Sequence, residues 1–288
     1  MGQINEIKEK MGVVKSVGGF ANALQQIAAM RMTSLRDKVL ASKRFVDEAT
    51  VILRELNLYK ELYYREELDK KKKNEPVEKK KDKEAVIIVT SNQGLCGKFN
   101  AEIFKQVEGH ILKDHENAEI YLIGKKGQEH YLTNKKYHYR FFPYSLPDEF
   151  TSKDLMRLVQ MFPYYSRVLM VYSRFINTIK RDVVESFLVT PPSIDPNIKV
   201  PEEELKFLFE PTIDDLIKNV SAKLRAATFN RQIMDSRLAQ FSAQMVGMQA
   251  ASENAKVLTG ELTHEYNKQR RKMIDKKIAE VLGGSALW

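Results

Sequence analysis

The 288 residues carry 47 Lys and Arg against 38 Asp and Glu, with 43% apolar residues, five His and one Cys. That length is ample for a buried core in one or two domains, and a single cysteine excludes a disulfide framework and any multi-cysteine zinc site. No apolar run approaches the roughly 18 residues of a membrane-spanning helix, and residues 1–8 lack the apolar stretch of a signal peptide, so the sequence reads as an intracellular, soluble, basic protein.

The charge is uneven along the chain. Residues 1–64 hold 10 basic and 7 acidic groups, residues 65–84 hold 9 and 7, residues 85–211 hold 16 and 16, and residues 212–288 hold 12 and 8. Basic ends suit nucleic acid, anionic lipid or acidic protein surfaces, and charge alone does not choose among them. All nine prolines lie between Pro76 and Pro211. Proline inside a helix costs roughly 3 kcal/mol, so both ends are free to form long helices.

Residues 1–64 form the first expected segment. Helical spacing joins Ile4, Ile7, Met11 and Val14, then Leu24, Ala28, Leu35 and Val39, and later Ala49, Ile52, Leu56, Tyr59 and Tyr63. Gly18 and Gly19 interrupt it, which predicts a bend or a close helix approach. Residues 65–84 follow, with 16 charged residues among 20. Such a stretch buries too little apolar surface to offset its ordering entropy, so a solvated linker is expected.

Residues 85–210 change period. Short apolar runs at 85–90, 118–123 and 168–172 read as buried strands, separated by amphipathic stretches around 99–112 and 152–162. Alternating strand and helix predicts a small parallel α/β domain. Residues 182–190 supply a further candidate strand, antiparallel at an edge, before a proline-marked loop. The last segment, residues 211–288, starts with Asp214 and Asp215 in a helical first turn. From Ile217 a strict 3-4 spacing runs through Val220, Leu224, Ala227, Arg231, Met234, Leu238, Phe241, Met245, Met248, Ser252 and Ala255, and ten of these twelve are apolar. A seam held over several heptads predicts a coiled coil, and the two terminal helices are expected to pair as a protruding rod.

Catalytic chemistry is hard to assemble from these residues. Residues 91–100, S-N-Q-G-L-C-G-K-F-N, follow a strand and precede a helix, where phosphate loops occur. A Walker-type loop needs Gly where Asn92 stands and Ser or Thr where Phe99 stands. Gly94 and Gly97 are therefore assigned to a tight turn. Cys96 at the helix N-terminus is a candidate nucleophile with a lowered pKa, set against the simpler reading of a small residue packed in that turn. The five histidines show no zinc spacing. The chain alone is expected to be no enzyme, with no metal and no cofactor.

Three blocks carry a resemblance to a known family. The turn at 91–100 resembles S-x-x-G-L-C-G-x-[FL]-N; residues 175–178 read F-I-N-T; and residues 251–286, from A-S-E-N-A through Y-N-K-Q-R to E-V-L-G-G-S-A, resemble a long closing signature. All belong to the γ subunit of the F-type rotary ATP synthases. The resemblance spans nearly the whole chain and implies two terminal helices in an antiparallel coiled coil with an inserted Rossmann-like α/β domain. It implies a central shaft within a ring of α-type and β-type subunits, an ε-type subunit and a membrane rotor ring as further partners, and a peripheral place on the cytoplasmic side of a membrane. In such a shaft the expected ring contacts are the crowded cations Lys268, Arg270, Arg271, Lys272, Lys276 and Lys277, which suit acidic loops of the β-type subunits. Arg31, Arg36 and Lys38 are secondary candidates on the other helix, and the apolar tip Val281, Leu282, Ala286, Leu287 and Trp288 is the expected bearing.

The sequence departs from the family pattern in places. Residues 19–24, G-F-A-N-A-L, stand where the family has K-I-T-K-A-M; Arg271 stands for Gln, Asp275 for Thr and Lys277 for Glu. These changes keep open a γ-like shaft in a specialised F-type-like ATPase without a proton rotor, cytoplasmic in that case. A basic coiled-coil scaffold on nucleic acid is a further alternative; it would bind with steep salt dependence, but the terminal helices lack the interleaved aromatics of a single-strand platform, and no nucleic-acid partner is expected.

Overall fold

The proline-free ends are helical. In the computed structural model, which describes residues 2–63, 83–134, 137–162, 165–188 and 212–285, α1 spans Gly2–Tyr63 and the last helix spans Ile213–Ser285. Between them lie β1 (Glu84–Val89), α2 (Phe99–Gln106), a π-helical turn (Val107–Ile111), α3 (Leu112–Asp114), β2 (Glu119–Ile123), α4 (Lys125–Leu132), β3 (Phe141–Tyr144), α5 (Ser152–Met161), β4 (Arg167–Phe175) and β5 (Arg181–Phe187), so the last helix is α6. Most of the expected charged linker lies outside the described residues. Its last member, Glu84, starts β1, and the Ser166 N–H donates to the Lys83 carbonyl just before it at 2.9 Å.

The chain divides into two units, Met1–Arg31 with Phe241–Trp288, and Met32–Gln240. In the first, α1 and α6 run antiparallel: Gly18 lies against Ala255, and the Arg31 guanidinium sits 5.5 Å from the Phe241 ring centre. Ile7, Ala21 and Ala28 are buried, with Val14 half-buried between them, a seven-residue repeat typical of a coiled-coil seam. The expected stripe jumped from Val14 to Leu24 because Gly18, Ala21 and Gln25 carry little hydrophobic signal. Small residues nevertheless fill the seam because the helices approach closely there.

A Cβ added at Gly18 would lie 2.9 Å from the Ala255 Cβ, whereas one at Gly19 would meet nothing. Gly18→Val is therefore expected to destabilise the chain by about 1–3 kcal/mol through overpacking. Gly19→Ala is expected to stabilise it by up to about 1 kcal/mol, because alanine loses less backbone freedom in a helix. Thermal unfolding followed by circular dichroism separates the two; equal effects at both positions would remove the close-approach argument.

In the second unit, Val46 and Leu53 of α1 pack with Leu224 of α6, flanked by Ala49, Ile217, Val220 and Ala227. Lys60 pairs with Asp214 at 2.5 Å, again with the helices antiparallel. Leu53 takes the seam position assigned from sequence to Ile52, which is half exposed. The start of α6 is held by Thr212, whose hydroxyl accepts the Asp215 N–H at 3.2 Å.

The sheet has the order β3-β2-β1-β4-β5, parallel except for β5, which pairs antiparallel with β4 at the edge, as its sequence position suggested. Alternate residues of β1 and β2 divide between two buried faces. Ala85, Ile87, Val89, Tyr121 and Ile123 meet Leu155 and Leu158 of α5 and Phe229 and Ile233 of α6. Val86, Ile88, Ile120 and Leu122 form the other buried face. Two elements escaped the sequence reading. α4 is a short, polar helix of 8 residues, and β3 contains Pro143, which argues against a strand. Its edge position, paired only with β2, tolerates the missing N–H.

Candidate functional site

In a doubly wound sheet, ligands bind at the carboxyl ends of the strands where the chain direction reverses, which here falls between β1 and β4. The turn at 91–100 lies at that edge. Ser91 and Asn100 close it: the Ser91 N–H donates to Asn100 Oδ1 at 3.1 Å, and Asn100 Nδ2 donates to Ser91 Oγ at 2.7 Å. Asn92, the residue that broke the Walker pattern, donates through Nδ2 to the Leu146 carbonyl at 2.8 Å and to Asp148 Oδ1 at 3.0 Å. Asp148 also accepts from Gln93 Nε2 at 3.4 Å. A carboxylate thus stands beside the turn where a phosphate loop would need positive potential.

Within the turn two residues adopt the left-handed region, Gly97 with φ of 55° and Leu95 with φ of 63°. Leucine in that region is locally strained. Cys96 is buried and its thiol points back to the Gly94 carbonyl at 3.3 Å. Burial first, and Asp148 second, push its pKa up to about 11. That is opposite to the lowering a helix-terminal nucleophile would need; the thiol is a small group packed in the turn and protonated at neutral pH.

The edge of the sheet is closed by α6. Arg237, the largest fully buried side chain among the described residues, reaches the Thr90 carbonyl through Nη1 and the Leu146 carbonyl through Nη2, each at 3.4 Å. Nη1 also lies 2.8 Å from Gln240 Oε1 and 3.4 Å from Asp148 Oδ1. Gln232 Nε2 donates to Ser186 Oγ on β5 at 2.8 Å. These polar letters on α6 gave no sequence signal, because a 3-4 count follows one seam while α6 also packs against the sheet.

Asp235 accepts the N–H of Phe175, first residue of the F-I-N-T loop, at 3.3 Å. Burial raises its pKa to about 6 against the pull of that N–H, of Arg231 and Arg174, and of Lys43 on α1. A carboxyl whose pKa is higher folded than unfolded binds more protons in the native state, so stability falls as pH rises from about 4 to about 6. Asp235→Asn keeps the acceptor and removes the charge. Relative to the parent, it is expected to gain roughly 2 kcal/mol at pH 7 and nothing near pH 4. Urea unfolding at the two pH values checks this; a difference that does not change with pH would contradict it.

The basic residues of α6 singled out from sequence, Lys268, Arg270, Arg271, Lys272, Lys276 and Lys277, are all exposed. They surround the helix rather than line one face. Lys276 pairs with Glu280 at 3.9 Å, a long and solvated contact. Arg31 is half-buried on Phe241, and Arg36 is exposed. Val281 and Leu282 are exposed, while Ala286, Leu287 and Trp288 lie outside the described residues. The sequence reading missed an exposed apolar stripe on α1: Val13, Val17 and Phe20 are each more than half exposed, on helical spacing beside the buried seam.

A family described as ATP synthase matches residues 3–287. The ATP synthase gamma chain of Trichlorobacter lovleyi is 25% identical over 299 residues, covering 99% of this chain and 98% of that one. The gamma chain of Streptococcus thermophilus is 26% identical over 296 residues, with the same coverage. Among solved structures, the OSCP/F1/c-ring assembly of Euglena gracilis mitochondrial ATP synthase contains a chain similar in fold, with TM-score 0.63, 16% identity, and coverage of 99% of this chain and 94% of that one. The central stalk and c-ring of the Tetrahymena thermophila mitochondrial enzyme contains another, with TM-score 0.58, 17% identity, and coverage of 81% and 99%.

Proposed function

Since the chain belongs to the ATP synthase family, we propose that it is the γ-type central shaft, coupling rotation to the state of nucleotide sites in a ring of α-type and β-type subunits. The observation that carries this is the end-to-end family match on a chain whose terminal helices run antiparallel in each unit. The mechanism follows from symmetry. An asymmetric shaft inside a three-fold ring presents a different face to each catalytic subunit. Three chemically identical sites are then held in different conformations, because only differential contact shifts a conformational equilibrium.

In this reading the chain is non-catalytic, and the 91–100 turn supports it: Asp148 stands beside it, held by Asn92 and Gln93, where a phosphate loop would need positive potential. Lys268, Arg270, Arg271, Lys272, Lys276 and Lys277 meet acidic loops of the β-type subunits, with Arg31 and Arg36 as secondary contacts. Arginine adds two-pronged carboxylate binding. Val281, Leu282, Ala286, Leu287 and Trp288 serve as an apolar bearing with few directional bonds to oppose turning. The exposed stripe of Val13, Val17 and Phe20 adds apolar surface on the N-terminal helix for the same ring. No described helix is long and apolar enough to cross a membrane. Membrane association, on the cytoplasmic side, therefore runs through an ε-type subunit and a rotor ring.

Gentle affinity capture of the full chain tests the proposal. Co-purification of α-type and β-type subunits with a rotor ring supports the synthase shaft. A head without a rotor supports the specialised F-type-like ATPase that Arg271, Asp275 and Lys277 leave open. Absence of any head subunit refutes both. The purified chain is expected to show no ATP turnover once contaminating head is removed, and sustained hydrolysis by the chain alone would contradict the non-catalytic role.

A further inference from the structure

Several polar residues on neighbouring turns of α6 grip the sheet. Gln232 holds Ser186 on β5, Asp235 holds the N–H that ends β4, and Arg237 holds the end of β1 through the Thr90 carbonyl together with the loop beyond β3 through Leu146 and Asp148. The rest of the contact is apolar, through Phe229 and Ile233. Apolar contact resists separation but has no direction, so it does little to oppose a helix turning about its own axis. Directional hydrogen bonds to several separate backbone segments do oppose it. A buried guanidinium is costly to desolvate and weak evidence for stability, so its presence calls for another role.

We infer that Arg237 is a positioning residue that locks α6 against rotation on the α/β domain, so that torque on the helix turns the domain instead of slipping past it. The lock is built for that task. The guanidinium fork spans two chain segments, at Thr90 and at Leu146 with Asp148, while Gln240 on the following turn fixes its orientation. Asp148 is in turn held by Asn92 and Gln93 of the 91–100 turn, so the load passes into the strand end rather than into a free loop. This inference rests on the shaft reading above.

The test uses a complete catalytic head assembled around the full chain, immobilised, with a viscous probe attached to the α/β domain through Lys113→Cys, the buried Cys96 being left in place. The variants are Arg237→Lys and the paired Arg237→Met with Asp148→Leu. Replacing a buried ion pair by apolar groups of similar size is often close to neutral for stability, so the paired variant is expected to melt near the parent. Its probe turns per ATP under load are expected to fall about three- to tenfold, with turnover in the absence of load unchanged. Arg237→Lys keeps the charge but not the fork, and is expected to lie between. Loaded rotation at the parental level in a stable paired variant would overturn the inference and leave Arg237 a residue of fold stability only. If the paired variant does not fold, parental rotation by Arg237→Lys at reduced thermal stability overturns it equally. Failure of the parent assembly to rotate its probe would instead count against the shaft reading.

Discussion

Replacing Gly124 by alanine is expected to cost about 3–5 kcal/mol of stability. Gly124 lies between β2 and α4 with φ of 102° and ψ of 136°, a region closed to L side chains. A Cβ there would stand 2.3 Å from the Thr90 carbonyl oxygen and 2.6 Å from both its carbon and its hydroxyl. Thr90 cannot retreat. Its hydroxyl donates to the Ile123 carbonyl at 2.9 Å and accepts the Gly127 N–H at 2.9 Å, and its carbonyl accepts from Arg237. Relief would require opening the end of the β1–β2 ladder, where Val89 faces Ile123. Gly94→Ala is the control, since its Cβ would meet nothing nearer than Lys126 Cε at 3.9 Å. It is expected to change stability by less than about 0.5 kcal/mol. Urea unfolding of the full chain measures both, and a Gly124→Ala cost below that of Gly94→Ala would refute the account.

How much of this was legible in the sequence depends on which physical signal a residue carries. The strands β1, β2 and β4 stand out because each holds an unbroken apolar run, residues 85–89, 120–123 and 168–172, buried on both faces. The C-terminal seam is legible because large apolar residues hold its spacing. The N-terminal seam is fainter, since Gly18, Ala21 and Gln25 occupy it by fitting rather than by hydrophobicity, and the eye moves from Leu53 to its neighbour Ile52. β3 hides behind Pro143, and Leu95 takes a left-handed backbone conformation that no local sequence signal marks. Arg237 and Gln232 are hidden for a different reason. Nothing local distinguishes a buried arginine on a helix from a solvated one, and its partners at Thr90, Leu146 and Asp148 are remote in sequence. The expected ring contacts had a legible signal, a crowd of cations, and their exposure leaves that charge available to a partner.

Charge reversal at Arg270 and Arg271 to glutamate is expected to lower the coupling of an assembled head to its shaft by about a hundredfold or more, while leaving the isolated chain folded. Both side chains are exposed on α6, so no buried contact is lost and the isolated chain should keep its helicity within about 0.5 kcal/mol of stability. The cost arises only where acidic groups close around them. A like-charge juxtaposition there costs about 2 kcal/mol or more per contact, and two reversed contacts multiply their effects on the equilibrium. Alanine at both positions removes attraction without adding repulsion, and is expected to fall between parent and glutamate variant. The electrostatic origin carries its own signature, because exposed or partly exposed pairs are screened within about 8 Å at physiological salt. Raising the ionic strength should therefore weaken the parent complex more than the alanine variant, and should narrow the gap between parent and glutamate variant. Torque and ATP turnover measured together on the reconstituted head decide it. Equal torque from the parent and glutamate variants, at any salt concentration, would remove these two residues from the contact and return the cationic stretch to the role of a solvated helix surface.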